Sequence, residues 1–383
     1  MDMIDFRIGY WYIDLYDTVS LLNTTFHYWV AVAATTLVFF LWDYKTSVRS
    51  RVITNGTMIQ NYGRVTKARI IWRAVKRAKV HFPNQDFCKM VSMAHQIGGH
   101  AMWNFGSKYA AKPIICDGRG FREVVFYEMI QEAVQSEKNY KYSMPSSTRY
   151  YDASTFSHGL EKVGELLREL KPFIPEYFGV VNHNGFYLQE FTSSSKLVLS
   201  DITAAYKHKC ILDLKVGTQT YEPDASIEKR RSQENKYREQ KKFGFRIIGM
   251  RVYDPIHENS DLHGYLKFDK KFGRQLKEKK DVLIVLSNFF NTEIGPQRKK
   301  MVINLLEQTK ELRRVLTVHN NALAFYSSSV LIAFEGDDRL ASPDLFSLKI
   351  IDFAHVRYQS GGDIGFNYGL GEIIALLEVI VSK

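Results

Sequence analysis

Cysteine and proline are scarce in this chain, and each shortage excludes a class of protein. The 383 residues include 3 cysteines and 9 prolines, beside 24 glycines. Cys88, Cys116 and Cys210 are too few and too scattered for a disulfide framework or a zinc knuckle, which favours a reducing compartment. The composition excludes a collagen-like or low-complexity chain. Because 45% of the residues are hydrophobic, disorder is excluded for most of the length. We expect two or three domains, or one large two-lobed domain.

The charge is unbalanced toward base. Lysine and arginine number 52 against 41 acidic residues, a formal net charge of +11. Such an excess points to an anionic partner, which is a nucleic acid, an acidic membrane surface or a polyphosphorylated small molecule. The sequence has no helix-turn-helix, zinc or RNP signature, so no nucleic-acid partner is expected. The excess is concentrated in residues 43–89, which hold eleven basic and two acidic side chains.

An uncharged apolar run of 19 residues covers positions 24–42, with Trp29 and Trp42 toward its two ends. Its length suits a helix that spans a bilayer, and its basic downstream flank would place the C-terminal body in the cytoplasm. The alternative is a buried core helix. Residues 65–80 then predict an amphipathic basic helix with an apolar stripe that includes Ile70 and Val80. This helix suits either an anionic leaflet or solvent.

The clearest chemical signal is a predicted strand at residues 211–217. Asp213 and Lys215 share one face of this otherwise aliphatic strand. Burying an acid and a base is unfavourable unless they are paired or used. They therefore form either a structural salt bridge or part of a phosphoryl-transfer site.

Asp352 is a second acid of this kind, in the segment KIIDFAH. A predicted strand at 325–334 and a turn-rich connector at 335–343 suggest a hairpin that presents it. A carboxylate in this setting suits magnesium, although it could equally be a turn acid.

Two further features fit phosphate binding, each with an ordinary alternative. On a predicted helix over residues 227–242, Lys229, Gln233 and Lys236 share one face, which would hold phosphates or simply face solvent. Lys112 lies in a predicted strand at 109–115, and Glu123 lies at the start of a predicted helix. A strand lysine paired with a helix acid holds nucleotide phosphates in two-lobed kinases. The alternative is an ordinary surface lysine and an acid at the start of a helix. No Walker A signature is present.

The segment LDLKVG, which contains Asp213, Lys215 and Gly217, resembles the P-x-x-x-D-x-K-x-G signature of the inositol polyphosphate kinases, with Lys209 in place of proline. Further motifs resemble the family in the same order: QIGGH, AAKP, REVVFYE, PEYFGVV, GTQTYEPDAS, GFRIIGMRVY, FYSSSVL, IIDFAH and GFNYGLGEIIALL. The resemblance runs from about residue 94 to the C-terminus. The short stretch between residues 226 and 244 favours the multikinase or hexakisphosphate kinase branch over the trisphosphate 3-kinases.

The resemblance implies an α+β, two-lobed, protein-kinase-like fold with ATP between the lobes. We therefore divide the chain into an N-terminal segment (1–43), a basic juxtamembrane or linker segment (44–93), an N-lobe (94–199) and a C-lobe (200–383). The segment 227–242 of the C-lobe would bind the inositol phosphate.

The resemblance also assigns roles to individual residues. Lys112 would contact the ATP phosphates with Glu123 as its partner, and Asp201 and Ile202 would form the hinge that holds adenine. Asp213 would orient the ribose or the accepting hydroxyl, Lys215 would meet the γ-phosphate, and Asp352 would bind Mg²⁺. The acceptor site would consist of Lys229, Gln233, Lys236, Arg251 and His355.

The expected function is ATP- and Mg²⁺-dependent phosphorylation of an inositol polyphosphate by a cytoplasmic or nuclear body, anchored to a membrane if residues 24–42 span one. The alternatives are a membrane-anchored phosphoinositide-binding protein without catalysis and a kinase of lipid inositol phosphates. The sequence does not specify the acceptor or the ring position.

Overall fold

The computed structural model of this chain describes residues 64–83, 90–93, 95–97, 101–138, 160–182, 190–255 and 264–382. The apolar run at 24–42 lies outside these residues. From residue 66 onward the chain forms one unit, which contains all the elements that position the site.

Helix α1 (Arg64–His81) packs against the first sheet through a stripe of small and branched side chains. The buried residues of this stripe are Ile70, Ile71, Ala74, Val75 and Ala78. Val80, which the sequence pattern placed in the stripe, is 70% exposed, because it lies roughly 200° round the helix from Ala78. Gly179 permits the close approach of helix and sheet. Its φ is +111°, and a Cβ there would overlap the Ala74 carbonyl oxygen.

The first sheet is antiparallel and has five strands in the order β1-β2-β3-β5-β4. These strands are β1 (Val91–Ser92), β2 (Trp103–Phe105), β3 (Tyr109–Pro113), β4 (Tyr177–Val181) and β5 (Lys196–Ser200). Between β3 and β4 lie helices α2 (Arg119–Lys138) and α3 (Leu160–Leu170), and a 3₁₀ turn, Lys171–Phe173, follows α3. Arg77 of α1 forms an ion pair with Glu128 of α2 at 3.1 Å.

The second sheet is also antiparallel, in the order β11-β10-β6-β7-β8. Its strands are β6 (Lys209–Val216), β7 (Phe245–Tyr253), β8 (Tyr265–Phe268), β10 (Ser329–Glu335) and β11 (Phe346–Ile351). Two short strands, β9 (Leu323–Phe325) and β12 (Val356–Tyr358), pair with each other. Strand β6 lies at the centre because its aliphatic residues are buried on both faces.

The hairpin that presents Asp352 is observed, but the predicted strand at 325–334 is interrupted. Ser327 adopts a left-handed backbone with φ +59°, so β9 ends at Phe325 and β10 begins at Ser329. Strand β10 pairs with β11 so that Ser329 lies opposite Ile351, and Asp352 follows β11 directly.

The predicted helix at 227–242 is also interrupted. Helix α4 (Ile227–Lys236) ends where Tyr237 turns into an extended conformation, and α5 (Gln240–Phe243) follows. The Tyr237 ring is buried, and its hydroxyl donates a 2.6 Å hydrogen bond to the Leu276 carbonyl. Burial of this ring draws the chain out of the helix.

The remaining helices cover the second sheet. They are α6 (Lys270–Gln275), α7 (Lys279–Phe290), α8 (Pro296–Val318) and α9 (Ile364–Ser382), with a 3₁₀ turn at Thr292–Ile294. Among the described residues, α9 is the one helix long and apolar enough to cross a membrane by length and composition. It buries one side within the core, where Leu370, Ile373 and Leu377 lie. A core helix passes the same test.

Candidate active site

A lysine and two carboxylates connect the first sheet, helix α2 and the end of strand β11. Lys112 of β3 donates hydrogen bonds to Glu123 of α2 at 2.8 Å and to Asp352 at 2.6 Å. Burial works to lower the pKa of Lys112, but the charges of Asp352 and Glu123 raise it above its ordinary value. Lys112 is therefore held as a cation. The family resemblance predicted the Lys112–Glu123 pair, whereas the contact with Asp352 was not predicted.

Asp352 is held in a conformation that is uncommon for a residue other than glycine. Its φ is +67°, and its carbonyl accepts a 2.9 Å hydrogen bond from the Ser328 hydroxyl. The next residue, Phe353, is fully buried and stacks on Phe126 with 4.2 Å between ring centroids. This packing keeps the Asp352 side chain, which is 41% exposed, at the edge of the site. Such strained backbone concentrates at functional sites.

Asp213 and Lys215 lie on the same face of β6, next to this group. The Lys215 ammonium donates a 2.6 Å hydrogen bond to the Ser327 carbonyl, the residue with the left-handed backbone. Burial raises the pKa of Asp213 to about 6, with the charge of Lys215 opposing and that of Asp352 adding. Burial lowers the pKa of Lys215. Asp213 Oδ1 is buried and has no hydrogen-bond partner within the described part of the chain.

A cavity of about 120 Å³ separates the two sheets at this point. One end is charged, and the rest is apolar. The charged end contains Lys112, Glu123, Asp213 and Asp352. The apolar wall includes Ala110, Leu199, Ile202, Ile211 and Leu331. An apolar slot that leads to a few convergent charges is the usual form of a small-molecule site.

The connection between the sheets closes the apolar end of the cavity. The Asp201 amide donates to the Lys108 carbonyl at 2.8 Å, and the Asp201 carboxylate accepts from the Thr203 amide at 2.9 Å. The Thr203 hydroxyl also contacts His95 Nε2 at 3.0 Å. Burial lowers the pKa of His95 to about 4, so this ring is neutral at pH 7. The structure therefore places Asp201 and Ile202 beside the cavity, and the Asp201 side chain shapes the turn.

Four basic side chains surround the carboxylate of Glu222, and we call this group the Glu222 cluster. His355 Nδ1 lies 2.9 Å from Glu222 Oε1, Lys229 Nζ lies 3.3 Å from Oε2, and Arg122 and Arg357 also form ion pairs with this carboxylate. Burial works to raise the pKa of Glu222, but its hydrogen bond with His355 and the charge of Arg357 lower it to about 2. The structure thus brings the predicted Lys229 and His355 together. Sequence reasoning missed Glu222 itself, although it lies in the quoted motif GTQTYEPDAS.

A second group of basic residues lies between α4, β7 and α6. Arg246 of β7 lies opposite Lys215 in the strand register and is 8% exposed. Burial, followed by the charge of Arg274, lowers the pKa of Arg246 to about 10. Burial and the charges of Arg246 and Arg274 lower the pKa of Lys236. Lys236 therefore lies near this group.

Arg251 and Gln233 have different surroundings from the two basic groups described above. Arg251 is opposite Ile211, five residues along β7 from Arg246, and its guanidinium lies 3.6 Å from the centroid of the Tyr265 ring. Gln233 lines a second cavity of about 490 Å³, between α4 and the segment that follows β6. The register of β6 and β7 shifts between Asp213 and Leu214, and no sequence signal located that shift.

A metal ion would need ligands from outside the protein at this site. Among the residues that the structure describes, no group of three or more histidine, cysteine, aspartate and glutamate side chains forms a metal site. Asp352 supplies one partly exposed carboxylate, and its charge acts on Asp213. Magnesium is commonly bound through one or two carboxylates together with substrate phosphates, and these residues fit that pattern.

The fold matches that of a solved structure. A crystal structure of the inositol phosphate multikinase Ipk2 from S. cerevisiae, in complex with ADP and Mn²⁺, aligns with 71% of this chain and 98% of its own chain. The TM-score is 0.50 and the sequence identity is 20%. The predicted α+β, kinase-like fold is confirmed by this likeness.

The sequence comparisons agree with the fold. Residues 196–378 match the family model for inositol polyphosphate kinase. The human inositol polyphosphate multikinase is 28% identical over 262 residues, which are 65% of this chain and 52% of that protein. Mouse inositol hexakisphosphate kinase 3 is 31% identical over 210 residues, which are 48% of this chain and 50% of that protein. This chain spans about half the length of these relatives. Over residues 196–378 this chain is therefore similar to the inositol polyphosphate kinases, as the sequence motifs predicted.

Proposed function

We propose that this protein is a kinase that transfers the γ-phosphate of ATP to an inositol polyphosphate. The observation that carries the proposal is the convergence of Asp213 and Asp352 with the Lys112–Glu123 pair at the charged end of an apolar cavity. Lys215 lies next to this group, and its pKa responds to the charges of Asp352 and Asp213. The match of residues 196–378 to the family model supports the proposal, since the relatives above are multikinases and hexakisphosphate kinases. The multikinase and hexakisphosphate kinase branches both remain within the proposal.

In this proposal the adenine of ATP occupies the apolar part of the cavity, beside Ile202, and the phosphates extend toward Lys112. Lys112 is held as a cation by two carboxylates, so it can contact the phosphates without reorientation. Mg²⁺, held by Asp352, would neutralise charge on the phosphates. Lys215 is aimed by its hydrogen bond to the Ser327 carbonyl and would meet the transferred phosphoryl group.

Asp213 would orient the accepting hydroxyl. Its Oδ1 is buried without a hydrogen-bond partner among the described residues, so it is available to accept a hydrogen bond from a ligand hydroxyl. With a pKa of about 6, this carboxylate is ionised at pH 7 and close enough to neutrality to take a proton as the hydroxyl reacts. The Glu222 cluster and the second basic group, which contains Arg246, would bind the phosphates of the acceptor.

Product analysis tests this proposal. The purified full chain is incubated with ATP and Mg²⁺ and with a panel from inositol trisphosphates to the hexakisphosphate, and products are identified by mass spectrometry and phosphorus NMR. We expect a new monoester or pyrophosphate, and loss of nearly all turnover in Lys215→Ala. Lys280→Ala is the matched control, because Lys280 is exposed and pairs only with Glu278 in the described contacts, at 2.8 Å. If the wild-type chain forms no product from any acceptor, the proposal is wrong.

We further propose that the catalytic body works in the cytoplasm or nucleus, where ATP is abundant. We also propose that its two lobes divide between residues 199 and 200. The course of the chain supports a division close to this point but a little later, since β5 of the first sheet ends at Ser200 and β6 of the second begins at Lys209. Limited proteolysis of the full chain, with and without ATP, tests it: fragments that keep one sheet intact are expected.

For α1 we propose contact with an anionic membrane surface. The helix contains seven lysines and arginines and no acidic residue. Trp72 is 59% exposed, and Lys76 Nζ lies 4.7 Å from the centroid of its ring. A tryptophan among basic residues suits the headgroup region of a bilayer.

Vesicle flotation tests this contact. Full-length Trp72→Ala and Lys76→Glu variants should bind phosphatidylserine vesicles more weakly than wild type, by roughly 1 kcal/mol for the lost lysine. Lys280→Glu should match wild type. Equal binding by all variants would exclude α1 from the membrane contact.

A further inference from the structure

The guanidinium of Arg246 is buried without the partners that a buried charge requires. Only 8% of the residue is exposed, and Nε and NH1 have no hydrogen-bond partner within the described part of the chain. An uncompensated buried charge is strongly destabilising, and proteins usually pair it. Arg298, for comparison, is also buried but donates to the carbonyls of Glu335 and Gly336 at 3.1 and 3.0 Å. The structure therefore retains two buried, unused donors at Arg246.

These donors belong to the face of the second sheet that carries Asp213 and Lys215. Strand pairing places Arg246 directly opposite Lys215, and the electrostatic influence of Arg246 reaches Asp213. The cation Arg274 and the Tyr237 hydroxyl also act on Arg246. Arg246 in turn interacts with the charges of Lys215 and Lys236. Within the described part of the chain, Asp213 is thus the one carboxylate among these groups. It leaves its own Oδ1 unpaired as well.

A buried acceptor and a buried donor therefore lie on the same face without satisfying each other. A ligand would satisfy both if it offered a hydroxyl to Asp213 and an anionic oxygen to Arg246. A ring that carries a hydroxyl and a phosphate on adjacent carbons has this arrangement. The planar guanidinium suits a phosphate because two parallel N–H donors match two phosphate oxygens.

The Glu222 cluster is less suited to this role. Its four basic side chains already share the Glu222 carboxylate, so a phosphate there would have to compete with an internal anion. Among the residues that the structure describes, the one carboxylate that would compete at Arg246 is Asp213, which would orient the accepting hydroxyl in the proposed reaction.

We propose that Arg246 binds the acceptor phosphate adjacent to the hydroxyl that Asp213 orients, and so determines which inositol phosphates are phosphorylated. This inference rests on the proposed kinase function. It makes Arg246 a specificity-determining residue, and it predicts an acceptor with a free hydroxyl beside a phosphate.

The test compares two acceptors in the full chain. Once NMR of the wild-type product has located the phosphorylated hydroxyl, kcat/KM is measured for an inositol phosphate with a phosphate on a neighbouring carbon and for the isomer or lower phosphate that lacks it. Arg246→Gln should lower kcat/KM roughly 10- to 100-fold for the first acceptor and leave the second nearly unchanged. Arg246→Lys keeps the positive charge but loses the two parallel N–H donors of the guanidinium. Its kcat/KM for the first acceptor should lie between those of wild type and Arg246→Gln. The KM for ATP should not change.

Thermal unfolding separates a ligand role from a structural one. Without ligand, Arg246→Gln should melt no lower than wild type, because the substitution removes a buried unpaired charge. The stabilisation by the first acceptor should shrink. Arg314→Gln is the matched control, because Arg314 is exposed and pairs with Glu311 at 2.7 Å. If Arg246→Gln does not fold, Arg246→Lys carries the comparison.

Each remaining outcome decides the question. Equal losses on both acceptors, or a lower melting temperature with such losses, would overturn the proposal and make Arg246 structural. Activity on the hexakisphosphate alone would also overturn it, since that ring has no free hydroxyl, although the kinase function would stand. Absence of any product from wild type would instead refute the kinase function.

Discussion

Ionisation of Asp213 should determine how kcat/KM falls at acidic pH. Burial raises the pKa of this carboxyl from its ordinary value to about 6, so the ionised form is lost as the pH falls through 6. From that pKa, about 91% of Asp213 is ionised at pH 7 and about 9% at pH 5. If the carboxylate accepts the hydroxyl hydrogen, kcat/KM for the acceptor should fall about tenfold between these pH values.

Asp213→Asn is the perturbation that isolates this effect. Loss of a positioned base typically lowers turnover by roughly 10²- to 10⁴-fold, and the residual activity should have no limb near pH 6. The assay is kcat/KM at saturating ATP from pH 5 to 8, with Glu311→Gln, an exposed paired carboxyl, as control. A limb near pH 6 that persists in Asp213→Asn would refute the assignment.

The same shift makes a prediction for stability. The pKa of Asp213 is higher in the folded chain than its ordinary value, so folding favours the protonated carboxyl. The stability that this protonated carboxyl contributes is therefore lost as the pH rises through about 6. At pH 7 Asp213→Asn should therefore unfold at a higher temperature than wild type while losing activity. A lower melting temperature at pH 7 would show that the Asp213 charge stabilises the fold.

Three further predictions follow from the packing and the ion pairs. Lys112→Met should raise the KM for ATP at least about tenfold and lower the melting temperature, because Glu123 loses its buried cation; an unchanged ATP affinity would argue against this nucleotide position. Gly179→Ala should lower the free energy of unfolding by roughly 1–3 kcal/mol in urea denaturation, since its Cβ would overlap the Ala74 carbonyl. Gly361→Ala, which has a positive φ but open space around it, should cost less, and equal effects would mean that backbone strain alone is responsible. Glu222→Gln should lower the acceptor KM because the surrounding cations lose their internal anion, and a raised KM would mean that Glu222 mainly positions His355.

The sequence was sufficient for the parts of the site that are local in the chain. Alternation in β6 placed Asp213 and Lys215 on one face, and the turn residues after β10 indicated the hairpin that ends at Asp352. The 3.6-residue period predicted helix α1 over residues 65–80. These features depend on backbone periodicity, which neighbouring residues determine.

Features that depend on contacts between distant segments could not be predicted. Lys112 and Asp352 are 240 positions apart, and Glu222 meets Arg357 across 135 positions. Arg246 lies opposite Lys215 only because the register of β6 and β7 shifts after Asp213. The predicted Arg251 lies five residues further along β7, opposite Ile211. The end of α4 at Tyr237 likewise depends on a hydrogen bond to Leu276, far along the chain.

The hydrogen bonds around Ser327 and Ser328 have a mechanical consequence. The Lys215 ammonium donates a hydrogen bond to the Ser327 carbonyl, and the Asp352 backbone carbonyl accepts one from the Ser328 hydroxyl. Both residues are therefore held by one short turn of the second sheet. Lys112, in contrast, reaches Asp352 from the first sheet. If the two sheets separate to exchange nucleotide, Lys215 and Asp352 move together because both are bonded to the same turn. The Lys112–Asp352 ion pair then breaks when the sheets separate and forms again when they close, once in each catalytic cycle.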